Sequence, residues 1–284
     1  MVPNGYWTEA RIQTTCQQSK KAEDKTENST RAPSVGFAED LFLTKQNEAS
    51  FKKAVYEMPD LLEVAKRDGT KLTSAQQALL LNRLVKNQAV FKGGCGHYNR
   101  EPVGIKLKND AIPSRAKPYP IPLKNREVVE QEVERQCSIG CLRHLTPEEF
   151  EDRKWAFPGF GVPKSNGMIC FVINFCGINA NLIRREFPLW TTEEILTSIK
   201  GFTYATSSDL NMGYPSIPLN NVSKKIPTIM MPFRAFECQT LPMGVMPASD
   251  LFQARMVHTF AEMGDQRPFP YIDDILHFKG ATFE

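Results

Sequence analysis

Phe269-Pro270-Tyr271-Ile272-Asp273-Asp274-Ile275-Leu276 sets two adjacent acids between apolar runs. Neighbouring carboxylates repel each other, and desolvating them is expensive unless a cation lies beside them. A hairpin turn resolves the conflict by lifting Asp273 and Asp274 to an exposed tip, with Tyr271 and Ile275 in the flanking strands. Taken alone, the pair also fits an ordinary polar turn. A third acid shifts the weighing, because Asp209 closes the strand-like run from Phe202 to Ser208. If the two elements neighbour each other in one sheet, three carboxylates converge and can hold two divalent ions about 4 Å apart.

Outward from that stretch, everything beyond Trp155 has the texture of strands and tight turns. Phe157 to Lys164 and Met168 to Phe175 flank Ser165-Asn166-Gly167, a strong hairpin signal. Further strands are expected around Ile217, Ile229 and Phe236. Thr191 with Glu194 caps a short helix, and Leu251, Phe252, Met256, Phe260 and Met263 mark a longer one ending at Gly264. This irregular order of strands and helices predicts an α+β fold with an antiparallel sheet and packed helices.

Towards the N-terminus, a helix is expected from Lys124 to Cys141, followed by a capping box at Thr146-Pro147-Glu148-Glu149. Cys137, Cys141 and His144 fall at i, i+4 and i+7, which fits either three metal ligands on one helical face or buried cysteines. From Arg100 to Arg126, seven basic residues face two acids among five prolines, so Arg115, Lys117 and Lys124 lie on an extended ribbon. That ribbon reads as a solvated loop or as a strip for a polyanion backbone. Residues 41–100 read as a helical segment, with Thr73 or Ser74 capping the second helix and a plain turn at Gly93, Gly94 and Gly96. From Thr8 to Ser34 the only large aliphatic or aromatic side chain is Ile12, so residues 1–40 read as a disordered leader or linker.

Bulk composition narrows the class. The 284 residues carry a net charge of +3, so any polyanion site must be local. No apolar run is long enough to span a membrane and no signal peptide is apparent. Seven cysteines without a Cys-x-x-Cys pair argue against a disulfide framework and suit a reducing, intracellular setting.

Tyr271-Ile272-Asp273-Asp274 resembles the YxDD box of reverse transcriptases, and other motifs follow in order. Ser208-Asp209-Leu210-Asn211-Met212-Gly213-Tyr214 resembles the first catalytic motif. Leu241-Pro242-Met243-Gly244 with Phe252-Gln253 resembles the LPxG…FQ segment. Val162-Pro163-Lys164-Ser165-Asn166-Gly167 and Asn179 resemble the fingers hairpin and its exit, and Lys117-Pro118-Tyr119-Pro120-Ile121-Pro122 the approach to it. The order and spacing resemble the gypsy class of long-terminal-repeat retrotransposons, over roughly residues 70–284.

The resemblance implies a right-hand polymerase, with fingers and part of the palm in residues 101–284. It implies RNA-directed DNA synthesis from an RNA template, a DNA primer and deoxynucleoside triphosphates, in a cytoplasmic particle or the nucleus. Asp209, Asp273 and Asp274 would be catalytic and, with the carbonyl of Leu210, would hold two Mg2+ or Mn2+ ions. Lys164, Tyr214, Met243, Gly244 and Tyr271 would contact the nucleotide, and Arg115, Lys117 and Lys124 the nucleic-acid backbone.

Departures from the family point to an impaired copy. Cys170 and Cys176 stand where the family has arginines, and Asn174 where it has an aspartate. Pro215 and Pro218 interrupt an expected strand, and Ser249 takes the place of a motif proline. The connection over residues 143–154 is long, and the chain ends ten residues after Asp274, ahead of the family's thumb and ribonuclease H. The expectation is a degenerate, C-terminally shortened polymerase, or a nucleic-acid-binding remnant of the same fold. An aspartic protease is excluded by the absence of an Asp-Thr/Ser-Gly triplet.

Overall fold

The computed structural model describes residues 58–91, 95–163, 168–198, 203–264 and 268–279. The leader 1–40, the Gly93-Gly94 turn and the Lys164–Gly167 turn lie outside these residues.

Two helices come first. Helix α1 (Leu61–Asp68) is capped by Asp60, whose carboxylate accepts from the Leu62 amide at 2.8 Å. Helix α2 (Ser74–Lys86) begins with a reciprocal capping box between Thr73 and Gln76. Leu61, Val64, Ala65 and Leu84 bury a small core of their own. Gln76 Nε2 donates to the Tyr204 hydroxyl at 2.8 Å, tying α2 to the strand that ends at Asp209.

The main body holds two sheets. Strands β1 (Leu142–His144), β2 (Phe157–Pro163), β3 (Ile169–Ile173), β5 (Thr228–Met230) and β6 (Ala235–Cys238) form one in the order β1-β6-β5-β2-β3. Its pairs are antiparallel except β2 with β5, which run parallel. The second sheet is wholly antiparallel, with order β4-β8-β7, from Tyr204–Asp209, Asp274–Lys279 and Phe269–Tyr271. Helix α3 (Leu123–Ser138) packs Val129 and Val133, both fully buried, into the core. Short helices α4 (Pro147–Glu151), α5 (Cys176–Asn179) and α6 (Thr192–Ser198) join the strands. The expected capping boxes form at Thr146/Glu149, where the hydroxyl accepts from the Glu149 amide, and at Thr191/Glu194.

Helix α7 (Ala248–Ala261) lies against β7 and buries Phe252, Met256 and Phe260. Burying each such side chain contributes about 1.5–3 kcal/mol.

Three expectations change. No regular strand forms around Ile217; Tyr214–Ser216 is a 3-10 turn with Pro215 in its first turn, and Pro218 makes only an isolated bridge to Thr240. Proline lacks the ladder donor that a strand needs there. Helix α3 ends at Ser138, short of Cys141, because the chain turns through Gly140 at φ +78°. His144 then lies on β1, not on a helix, so Cys137, Cys141 and His144 cannot share one helical face. Cys141 is instead buried, and its sulfur accepts from the Cys95 thiol.

Candidate active site

Strands β4 and β8 pair in a register that sets Asp209 directly opposite Asp274. Strand β7 pairs with β8 so that Tyr271 faces Asp274, leaving Ile272 and Asp273 as a two-residue turn. The turn is therefore one residue earlier than the Asp273-Asp274 tip expected from the sequence. Asp274 is exposed and opens β8, whereas Asp273 is half-buried.

Ile272 sits at φ +52°, an unusual conformation for a β-branched residue. Surrounding structure holds it there. The side chain of Gln253, fully buried on α7, donates from Nε2 to the Pro270 carbonyl at 2.7 Å and accepts at Oε1 from the Ile272 amide at 2.7 Å. The Leu210 amide donates to the Asp273 carbonyl at 2.8 Å, joining the end of β4 to the same turn.

Asp273 is the electrostatic focus. Burial, then Asp209 and Asp274, push its carboxyl up to about 6. Its Oδ1 is buried without a hydrogen-bond partner. A Cβ added to Gly213 would lie 2.7 Å from that oxygen and 2.8 Å from the Phe252 ring, so only glycine permits this approach. The three carboxylates do not draw together within 4.8 Å; among the described residues the one trio that compact lies elsewhere, at Glu134, Cys137 and His144.

No protein-family model matches the chain. It is 29% identical over 189 residues to the uncharacterized protein K02A2.6 of Caenorhabditis elegans, covering 65% of this chain and 14% of that protein. It is 25% identical to the transposon Tf2-3 polyprotein of Schizosaccharomyces pombe, covering 61% and 12%, and 23% identical to the enzymatic polyprotein of Figwort mosaic virus, covering 63% and 27%. Thus the chain spans at most about a quarter of the length of these relatives. Among solved structures it resembles the prototype foamy virus protease-reverse transcriptase with TM-score 0.68 and 21% identity, covering 80% of this chain and 30% of that one. A second structure, of the foamy viral protease-reverse transcriptase in complex with an RNA/DNA hybrid, matches with TM-score 0.64 and 17% identity, covering 92% and 31%. The chain has a reverse-transcriptase-like fold and is similar in sequence to transposon and viral polyproteins.

In this reverse-transcriptase-like fold the remaining candidate residues lie on several different elements. Tyr214 stacks on Phe252 with ring centroids 4.7 Å apart, and its hydroxyl lies 3.1 Å from Ser249 Oγ. Burial raises the phenol's pKa above its ordinary value. Met243 is exposed, and Gly244 takes φ +89°. The loop they occupy is clamped by Asn179, whose Nδ2 donates to the Gly244 carbonyl and whose Oδ1 accepts from the Met246 amide, both at 2.9 Å. Tyr271 is exposed at the end of β7. Lys164 lies outside the described residues.

Lys117 and Lys124 are exposed, while Arg115 lies over the Phe150 ring at 4.3 Å and donates to the Glu151 carbonyl. The positions of family arginines are differently used. Cys170 pairs with Val162 across the β2–β3 hairpin, and Cys176 is the exposed first residue of α5. Asn174 Nδ2 donates to the Tyr119 hydroxyl at 2.8 Å, and its Oδ1 accepts from the Cys176 amide.

In the sequence, Gln253 and Gly213 stand only as parts of motifs, without roles. A signal was available for Gln253: an amide side chain between Phe252 and Met256 on a helix that buries both needs a polar partner. Gly213 offered none, since its constraint comes from atoms distant in sequence.

Proposed function

We propose that the chain carries the nucleotidyl-transfer centre of an RNA-directed DNA polymerase of the gypsy retrotransposon class, extending a DNA primer on an RNA template with deoxynucleoside triphosphates. The observation that carries this reading is the pairing of Asp209 with Asp274 around the half-buried Asp273, whose Oδ1 has no hydrogen-bond partner. An orphaned carboxylate oxygen between two further carboxylates fits a hard divalent cation, Mg2+ or Mn2+. Asp209, Asp273, Asp274 and the Leu210 carbonyl would hold two such ions. When bound, the ions supply charge neutralisation at the attacking and departing oxygens of phosphoryl transfer.

The protein's own residues do the positioning. Gln253 fixes the turn that bears Asp273, and Gly213 keeps the space beside it open. Tyr214, Met243, Gly244 and Tyr271 line the nucleotide side, and Lys164 meets the triphosphate. Arg115, Lys117 and Lys124 contact the nucleic-acid backbone by charge. The β3 strand contributes Cys170 and no cation, and α5 contributes Cys176, so the triphosphate is gripped weakly and synthesis is slow.

Primer extension on poly(rA)/oligo(dT) with Mg2+ tests the reading. Slow synthesis that Asp209→Asn or Asp273→Asn abolishes is expected. Salt-sensitive binding of primer-template, unchanged by Asp209→Asn and with no synthesis under Mg2+ or Mn2+, would overturn it in favour of a nucleic-acid-binding remnant. The cysteines at positions 170 and 176, which offer no cation, are what favours that second reading.

A further inference from the structure

Glu134 and Cys137 stand three residues apart near the end of α3 and so share one face of the helix. After the reversal at Gly140, β1 brings His144 back beside them. A carboxylate oxygen of Glu134, the Cys137 sulfur and a ring nitrogen of His144 all lie within 4.8 Å of one another. His144 Nε2 is 2.9 Å from Glu134 Oε2, and its ring rests against Phe236 with centroids 5.1 Å apart, which limits its rotation. Arg234 donates to His144 Nδ1 at 3.1 Å. None of these groups belongs to the acidic turn.

We propose that Glu134, Cys137 and His144 form a site for a zinc-class ion, with the fourth position open to water. Thiolate, imidazole and carboxylate are the donors that tetrahedral zinc accepts, at about 2.0–2.3 Å, and a thiolate disfavours magnesium. The three groups are partly exposed, so closing them around one ion needs side-chain movement only. Burial, then Glu134, holds the Cys137 thiol up at about 11, so the empty site carries S–H. On binding, the thiol proton leaves to solvent, the imidazole proton passes from Nε2 to Nδ1, and exposed Arg234 swings off Nδ1; one proton is released per ion. The ion staples the end of α3 to the β1 edge of the five-stranded sheet, independently of the polymerase centre.

Titration of the whole chain with Co2+ and competition with Zn2+ test this. A thiolate-to-cobalt charge-transfer band is expected at one equivalent, displaced by Zn2+, with a rise in melting temperature. Cys137→Ser should abolish the band; His144→Gln and Glu134→Gln should weaken Zn2+ binding at least about tenfold. Cys141→Ser and Asp273→Asn should leave the band in place. Circular dichroism on each variant separates loss of ligand from loss of fold. No thiolate band at stoichiometric Co2+, a band that persists in Cys137→Ser, or unchanged affinity in both folded His144→Gln and Glu134→Gln would overturn the assignment.

Discussion

Strands β7–β8 and β2–β3 are both antiparallel pairs, yet their chemistry is opposite. At the first, Asp209 pairs with Asp274 beside Asp273, whose carboxyl is pushed up by burial and then by the two neighbouring acids. At the second, β3 reads Ile169, Cys170, Phe171, Val172, Ile173 without a charge, and β2 packs so closely that a Cβ on Gly159 would lie 2.6 Å from Met231 Sδ and 2.7 Å from the Phe171 ring. Apolar packing accounts for the strands of the second hairpin. It does not explain the first, where Asp273 Oδ1 is buried without a hydrogen-bond partner beside two further acids.

The contrast can be broken most severely at the acids. Asp209→Asn or Asp273→Asn should lower primer extension on the order of a hundredfold or more, measured as initial rate at saturating nucleotide. Activity left intact would mean that the charge at the turn is incidental. Next comes the clamp beneath it. Gln253→Ala strands the Pro270 carbonyl and the Ile272 amide, and should cost about 2–4 kcal/mol in urea unfolding. A loss under about 0.5 kcal/mol would show that the turn does not depend on α7.

A smaller effect is expected from adding charge to the uncharged strand β3. Cys170→Arg should lower the nucleotide KM by about tenfold, equivalent to one charge-assisted contact of about 1.4 kcal/mol, and leave kcat nearly unchanged. An unchanged KM would show that β3 does not face the triphosphate.

The smallest effect is a pH signature. Because the folded Asp273 carboxyl lies at about 6, above its unfolded value, the folded state binds more protons than the unfolded chain. Stability from this group is therefore full below about pH 4 and is lost as pH rises through 6. In chelator, Asp273→Asn should flatten this fall and melt about 2–4 °C higher than wild type at pH 8. Identical pH profiles by scanning fluorimetry would remove the electrostatic account.

Much of this was legible along the chain. Capping at Thr73, Thr146 and Thr191 depends on residues three apart, so the sequence alone carries it. The α+β class followed from periodicity, and among the described residues no helix is long and apolar enough to cross a membrane. The parallel pairing of β2 with β5 was not legible, because it joins strands about seventy residues apart through no local signal. Nor was the fate of the cysteines. The i, i+4, i+7 spacing assumed a helix that Gly140 ends, and the partner that actually meets Cys137 and His144 is Glu134.

By itself the sequence determined which residues carry charge and where chain direction must change: two adjacent acids in an apolar run, a third at the end of a strand, and prolines that forbid a ladder after Tyr214. Only the tertiary structure decided that Asp209 faces Asp274, that Asp273 and not Asp274 is the half-buried acid, and that Gln253 holds the turn. The physical reason is one of range. Caps, turns and breaks are settled within a few residues, whereas burial, and with it the cost of a charge, depends on which distant surfaces the fold brings together.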